Sequence, residues 1–187
     1  MIISMPRGKM PCAACARKGG AGPALYTDNG NASGDPTQWG PVLWTMLHIL
    51  AEHVGKHGFD MDEARDFDII INTLPQVLPC NTCQNHSKTY ISQNPFEAVK
   101  HIKTFGPYVR TWLLNFHNAV RTQNGQNIEI TTIEQLATIY GSQTIEKDKL
   151  LILTSNANYG IRTALIKLDA WKRWYIIFSR LKTISGS

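Results

Sequence analysis

A chain of 187 residues that is 43% apolar can bury a core without disulfide staples, and its 19 basic against 14 acidic side chains leave a net charge of +5. It holds no run of 18 uncharged apolar residues, which argues against a membrane-spanning helix, and its first residues, MIISMPRGKMPCAAC, lack the apolar stretch of a secretory signal. The charge is uneven: four basic and one acidic side chain over residues 1–34, seven and ten over 35–144, eight and three over 145–187. A basic tail of this kind reads first as a solvated face, so nucleic acid is not the expected partner.

Residues 1–34 are rich in Gly, Ala, Asn and Ser, contain Pro6, Pro11 and Pro23, and predict a flexible arm that carries Cys12 and Cys15. The first helix is expected over about Pro41 to Lys56. Pro41 suits a first helical position, and Leu43, Met46, Leu47, Leu50, Ala51 and Val54 recur at helical spacing. A second helix is expected over about Met61 to Leu78, kinked or ended early by Pro75. A third begins at Cys80-Asn81-Thr82-Cys83 and runs to about Ser92. Asn94-Pro95-Phe96-Glu97 carries the start signal of another, which Gly106-Pro107 breaks. A further helix over Pro107 to Arg121 buries Val109, Trp112, Leu113, Phe116 and Val120. Thr131 and Glu134 form a capping box for a short helix ending near Gly141. The last long helix is expected over Ile161 to Ile184, with Ile161, Leu165, Leu168, Trp171, Tyr175 and Phe178 on its apolar face. Lys149–Thr154 is ambiguous between strand and helix. The pattern reads as an all-α bundle.

The four cysteines form two C-x-x-C pairs. Paired cysteines without a secretory signal point to redox chemistry or to metal binding. A C-x-x-C at a helix start sets its first sulfur near unpaired N–H groups and the positive end of the helix dipole, and both stabilise the thiolate. Zinc needs four ligands. The two pairs lie 64 residues apart, and His86 would be a third ligand with no fourth nearby, so no metal is expected. A disulfide that does more than shuffle thiols needs an electron sink, which only a cofactor supplies.

Three segments occur in order: Trp39-Gly40-Pro41-Val42-Leu43-Trp44-Thr45-Met46-Leu47-His48, then Leu78-Pro79-Cys80-Asn81-Thr82-Cys83-Gln84-Asn85-His86, then Trp112-Leu113-Leu114-Asn115-Phe116-His117-Asn118-Ala119-Val120. This set resembles the Erv/ALR family of FAD-linked sulfhydryl oxidases, over about residues 37–124, and most resembles members from large DNA viruses. The resemblance implies a four-helix bundle with a short fifth helix, followed here by a helical C-terminal extension. It implies a division into an arm at 1–34, an FAD-binding domain at 35–124 and an extension at 125–187 of no assigned role. Cys80 and Cys83 are then the catalytic pair, and Cys12 and Cys15 candidates for a shuttle that relays electrons to it. Gly40, Trp44, His48, His86, Trp112, His117 and Asn118 are implied as the FAD site. Arg121 stands where the family has Asn and is a candidate for a cofactor phosphate. The implied reaction takes electrons from dithiol proteins to oxygen, giving hydrogen peroxide, in a homodimer of the host cytoplasm or virus factory. A metal-binding protein, or a module that contacts nucleic acid or a virion protein through the basic last helix with Trp171, Trp174 and Tyr175, is the alternative.

Overall fold

The computed structural model describes residues 32–187; the Cys12/Cys15 pair lies outside the described residues. Among the described residues the chain is helical, without strands. The helices are α1 (Pro36–His53), α2 (Asp60–Thr73), α3 (Asn81–Gln93), α4 (Phe105–Gln123), α5 (Ile133–Tyr140), α6 (Lys147–Arg162) and α7 (Leu168–Ser185), with tighter 3-10 segments at Leu74–Gln76 and Ala98–Thr104. The all-α expectation holds.

Helix α1 starts earlier than its apolar pattern suggests. The Asp35 carboxylate accepts a hydrogen bond from Thr37 N–H at 2.9 Å and caps the helix, with Pro36 at its first position. Pro41 therefore sits inside the helix and cannot donate to the Thr37 carbonyl. The helix is buried on more than the expected stripe, because α4, α5, α6 and α7 all pack on it. Ile49, Leu50 and Ala51 are consecutive and all buried, and His48 and Glu52 are buried with them.

Pro75 ends α2 at Thr73 in the manner expected, and the chain continues as one 3-10 turn. The start signal at Asn94–Glu97 is not used. Asn94 instead terminates α3, its N–H bonding the Tyr90 carbonyl. The next segment is 3-10, and its leading N–H groups, Ala98 and Val99, donate to the Asp68 carboxylate of α2 at 2.6 and 3.2 Å. The cap comes from a distant helix, not from the neighbouring sequence. Gly106-Pro107 does not break a helix either: both lie in the first turn of α4, where a missing N–H costs nothing. The α5 capping box forms one residue later than expected, between Thr132 and Gln135.

The last helix begins at Leu168, later than the expected Ile161; Ile161 and Arg162 instead end α6. Residues 163–167 turn the chain between α6 and α7. Ala164 takes the left-handed conformation at φ 58°, and Leu165 and Ile166 both donate to the Gly160 carbonyl. Lys149–Thr154 is helical. Helix α7 packs chiefly on α2 and buries Trp171, Trp174, Phe178 and Leu181, while Leu168 is half exposed. Trp174 Nε1 donates to the Ile70 carbonyl at 3.1 Å, and the Arg180 guanidinium grips the fully buried Asp66 carboxylate. The indoles are spent in the core, which leaves them no surface role. One hydrophobic core joins α1 and α2 to α4 and α7.

Candidate functional site

Pro79 disfavours helix at Leu78 before it, and Cys80 takes the extended conformation of an N-cap (φ −155°, ψ 115°) before the chain turns into α3. Cys80 is thus the N-cap residue. Its sulfur accepts from Cys83 N–H at 3.2 Å and is bonded to Cys83, the two Cα atoms lying 5.2 Å apart. When that bond opens, a Cys80 thiolate would keep the same N–H and the positive end of the helix dipole.

Cys83 lines a cavity of about 460 Å³ between α1, α3, α4 and the end of α5, a volume suited to a sizeable organic cofactor. Cys80 is not among the residues that line it and is half-buried at the head of α3. Of the other residues picked from sequence, Gly40, Trp44, His86, His117 and Arg121 line the cavity. His48, Trp112 and Asn118 do not. His48 is fully buried behind the wall and meets His117, Nε2 to Nδ1 at 3.0 Å. Trp112 packs on Phe96 and Phe116 and donates to the Asn94 carbonyl, so it supports the wall from within the core. Asn118 donates to the Ile130 carbonyl and holds the segment that leads to α5. Arg121 lines the cavity but is also held there, donating to the Asn127 carbonyl and to Glu129 at 2.6 Å.

The wall is a set of stacked rings. Trp44 and His117 lie parallel, 5° apart with centroids 4.3 Å apart, and His48 stacks at 5.2 Å on Tyr140. Burial, with a smaller contribution from His117, pushes His48 down to about 3. Burial, then the Arg121 charge, pushes His117 down to about 4. Both imidazoles are therefore neutral at neutral pH and share one hydrogen bond. His48 Nδ1 is buried without a partner. A proton on that nitrogen would be an orphaned donor, so the proton belongs on Nε2, where it is donated to His117. His117 then keeps its own proton on Nε2, as a donor on the residue that lines the cavity.

Two further observations bear on a flat, polar-edged cofactor such as FAD. Trp39 lines the cavity, and its indole N–H is buried with no partner in the protein. A Cβ built at Gly40 would meet nothing within 4 Å, so the helix backbone there borders open space. Ring faces, an unused buried donor and an open backbone approach fit FAD. Sequence reasoning missed Trp39 as a donor and missed Tyr140 altogether. Trp39 had a signal, since it sits in the Trp-Gly-Pro segment. Tyr140 had none, because only packing brings the end of α5 to α1.

The Erv1/Alr family model matches residues 41–138, just over half of the chain. A protein of Invertebrate iridescent virus 6, described as a candidate FAD-linked sulfhydryl oxidase, is 31% identical over 96 residues, covering 49% of this chain and 84% of that one. The FAD-linked sulfhydryl oxidase of an African swine fever virus isolate from warthog is 28% identical over 114 residues, covering 59% of this chain and 89% of its own. No solved structure matches the chain. The matched stretch holds Cys83, Trp44, His86 and His117, which share one cavity wall, and the chain belongs to the Erv1/Alr family.

Proposed function

We infer that this chain is an FAD-dependent thiol oxidase, which converts dithiols to disulfides and passes the electrons to oxygen, giving hydrogen peroxide. The observation that carries the reading is the cystine at the head of α3 with one sulfur, Cys83, in the wall of a ring-lined cavity. Bound FAD supplies a two-electron acceptor that oxygen can discharge.

The residues proposed to hold FAD are Gly40, Trp44, His86, His117 and Arg121, with Trp39 and Tyr140 added from the geometry and His48, Trp112 and Asn118 acting from behind. Trp44, His117 and Tyr140 offer ring faces; Trp39 and His117 offer N–H donors. The half-buried position of Cys80 outside the cavity suits attack by an incoming thiolate there. That attack forms a mixed disulfide at Cys80 and releases Cys83 as a thiolate in the wall. A second substrate thiolate then displaces Cys80, whose departing negative charge meets the Cys83 N–H and the dipole of α3. The substrate leaves oxidised by two electrons, and Cys80 and Cys83 hold those electrons as a dithiol.

The proposed division is an arm to residue 34, an FAD-binding part over 35–124 and an extension over 125–187, although Tyr140 of the extension lines the same cavity. Cys12 and Cys15 are proposed as a shuttle. Ser33 N–H donates to Asn156 Oδ1 at 3.1 Å, and a Cβ at Gly34 would lie 3.1 Å from the Pro79 carbonyl oxygen, so the chain enters the described fold beside the redox loop. A homodimer in the host cytoplasm or virus factory completes the proposal; Ile139, Leu151 and Ile152 remain exposed on α5 and α6. No helix is long and apolar enough to cross a membrane among the described residues.

The test is the absorption spectrum of the purified chain together with oxygen uptake on adding a dithiol. Flavin bands and uptake are expected, and Cys83→Ser should keep the bands and lose the uptake. A colourless protein that takes up no oxygen after FAD is added refutes the reading.

A further inference from the structure

Part of what holds the redox loop from behind lies beyond the stretch of the chain that the family model matches. Gln84 follows Cys83 and points its side chain away from the cavity wall to two backbone carbonyls. Its Nε2 donates to Leu78 O at 2.8 Å and to Leu165 O at 2.9 Å. Both amide hydrogens are used, one on the segment that leads into Cys80 and one on the turn between α6 and α7. A second contact braces the same point. Pro79 is buried, and a Cβ built at Gly160 of α6 would lie 3.2 Å from Pro79 Cβ and collide with the Ile166 side chain. Glycine is thus required at 160 for α6 to close on Pro79 and Ile166 together. The family model ends at residue 138, so Gly160, Leu165 and Ile166 all belong to the stretch that follows it.

We propose that the α6–α7 hairpin, acting through Gln84 and Gly160, is a positioning element for the Cys80–Cys83 cystine: it clamps Leu78–Pro79 so that the Cys80 and Cys83 sulfurs face each other in the reduced state too. The proposal rests on the thiol-oxidase reading and deepens it. In the reduced chain two thiols three residues apart must be brought together for the bond to re-form. A loop already held in the closed arrangement loses less freedom when the bond forms, so the clamp favours the disulfide over the dithiol. Releasing the clamp shifts that balance toward the dithiol and makes the cystine easier to reduce. Gln84, Gly160 and Ile166 are positioning residues; none of them transfers electrons.

The test measures the equilibrium between disulfide and dithiol at Cys80/Cys83 in the full-length chain, equilibrated in glutathione buffers, alkylated and quantified on the Cys80–Cys83 peptide by mass spectrometry. Gln84→Leu keeps the side-chain size and removes both donors. Gly160→Ala opens the clamp from the other side. Each should lower the disulfide-forming constant about tenfold, which is ~30 mV for a two-electron couple. Ile166→Val added to Gly160→Ala removes the methyl group nearest the new Cβ and should recover part of the loss. Arg180→Ala, which removes the ion pair to Asp66 and touches none of Leu78, Pro79, Gln84, Gly160, Leu165 or Ile166, should leave the constant unchanged, so general destabilisation is separated from positioning. A constant within twofold of the unaltered chain in both Gln84→Leu and Gly160→Ala overturns the proposal, as does an equal drop in Arg180→Ala. Should Gly160→Ala fail to fold, Gln84→Leu decides, and the reverse holds. The equilibrations are anaerobic, and oxygen uptake by the unaltered chain is recorded on separate aerobic samples. Its absence refutes the oxidase reading, while the exchange constants still decide the clamp.

Discussion

Replacing His48 with Phe tests the neutral histidine pair behind the cavity. Phe keeps a ring against Tyr140 and His117 but cannot be protonated. The unaltered pair resists protonation in the folded chain, His48 down to about 3 and His117 to about 4, whereas both take a proton readily once unfolded. Because their folded values lie below the unfolded one, their contribution to stability is complete above the unfolded value of about 6.5 and is lost as pH falls toward the folded ones. Between about pH 7.5 and about pH 5 each such histidine should cost about 2 kcal/mol of stability, so the pair costs about 3–4 once the partial exposure of His117 is discounted. In His48→Phe the loss should shrink by about 2 kcal/mol over the same range. The assay is urea unfolding followed by circular dichroism at a series of pH values. His53 shifts in the same direction through burial, while burial raises Glu52, Glu63 and Asp68, which act the opposite way. These groups are common to both chains and cancel in the difference. Equal pH slopes in the two chains would refute the reasoning, since the pair would then not be held neutral by the fold.

Phe178 is fully buried between α7 and α2 and stacks on Trp174 at 5.0 Å. Phe178→Ala should cost about 3–5 kcal/mol in urea unfolding, and a loss under 1 would show that α7 is only loosely attached. Ala164 holds the left-handed turn at φ 58°. Ala164→Gly should raise stability by about 0.5–1 kcal/mol, read as a higher urea midpoint, and a lower midpoint would contradict the strained turn.

The helical class was legible because helix faces repeat within single segments, and a stripe such as Leu43, Met46, Leu47 and Leu50 needs no distant partner to be recognised. The helix-start position of Cys80 was legible for the same reason: a C-x-x-C after a proline places a sulfur at a helix start through local backbone geometry alone. The family resemblance implied Gly40, Trp44, His86 and His117, and the fold sets these around one cavity with Cys83. What stayed hidden depends on contacts between segments far apart in the chain. The 3-10 segment that begins at Ala98 is capped by Asp68, some thirty residues earlier, so the start signal read at Asn94–Glu97 does not supply its cap. The apolar pattern over 161–184 runs unbroken through a turn, because Leu165, which carries the pattern there, lies in the turn and is still half-buried. Whether His48 faces a ligand or stands behind one, and whether Tyr140 reaches the cavity at all, follows from how α1, α4 and α5 cross. Local propensity sets which residues are helical and which sulfur stands at a helix start; only the packing of helices against one another decides which side chains share a wall, because that depends on distances the chain's own spacing does not contain.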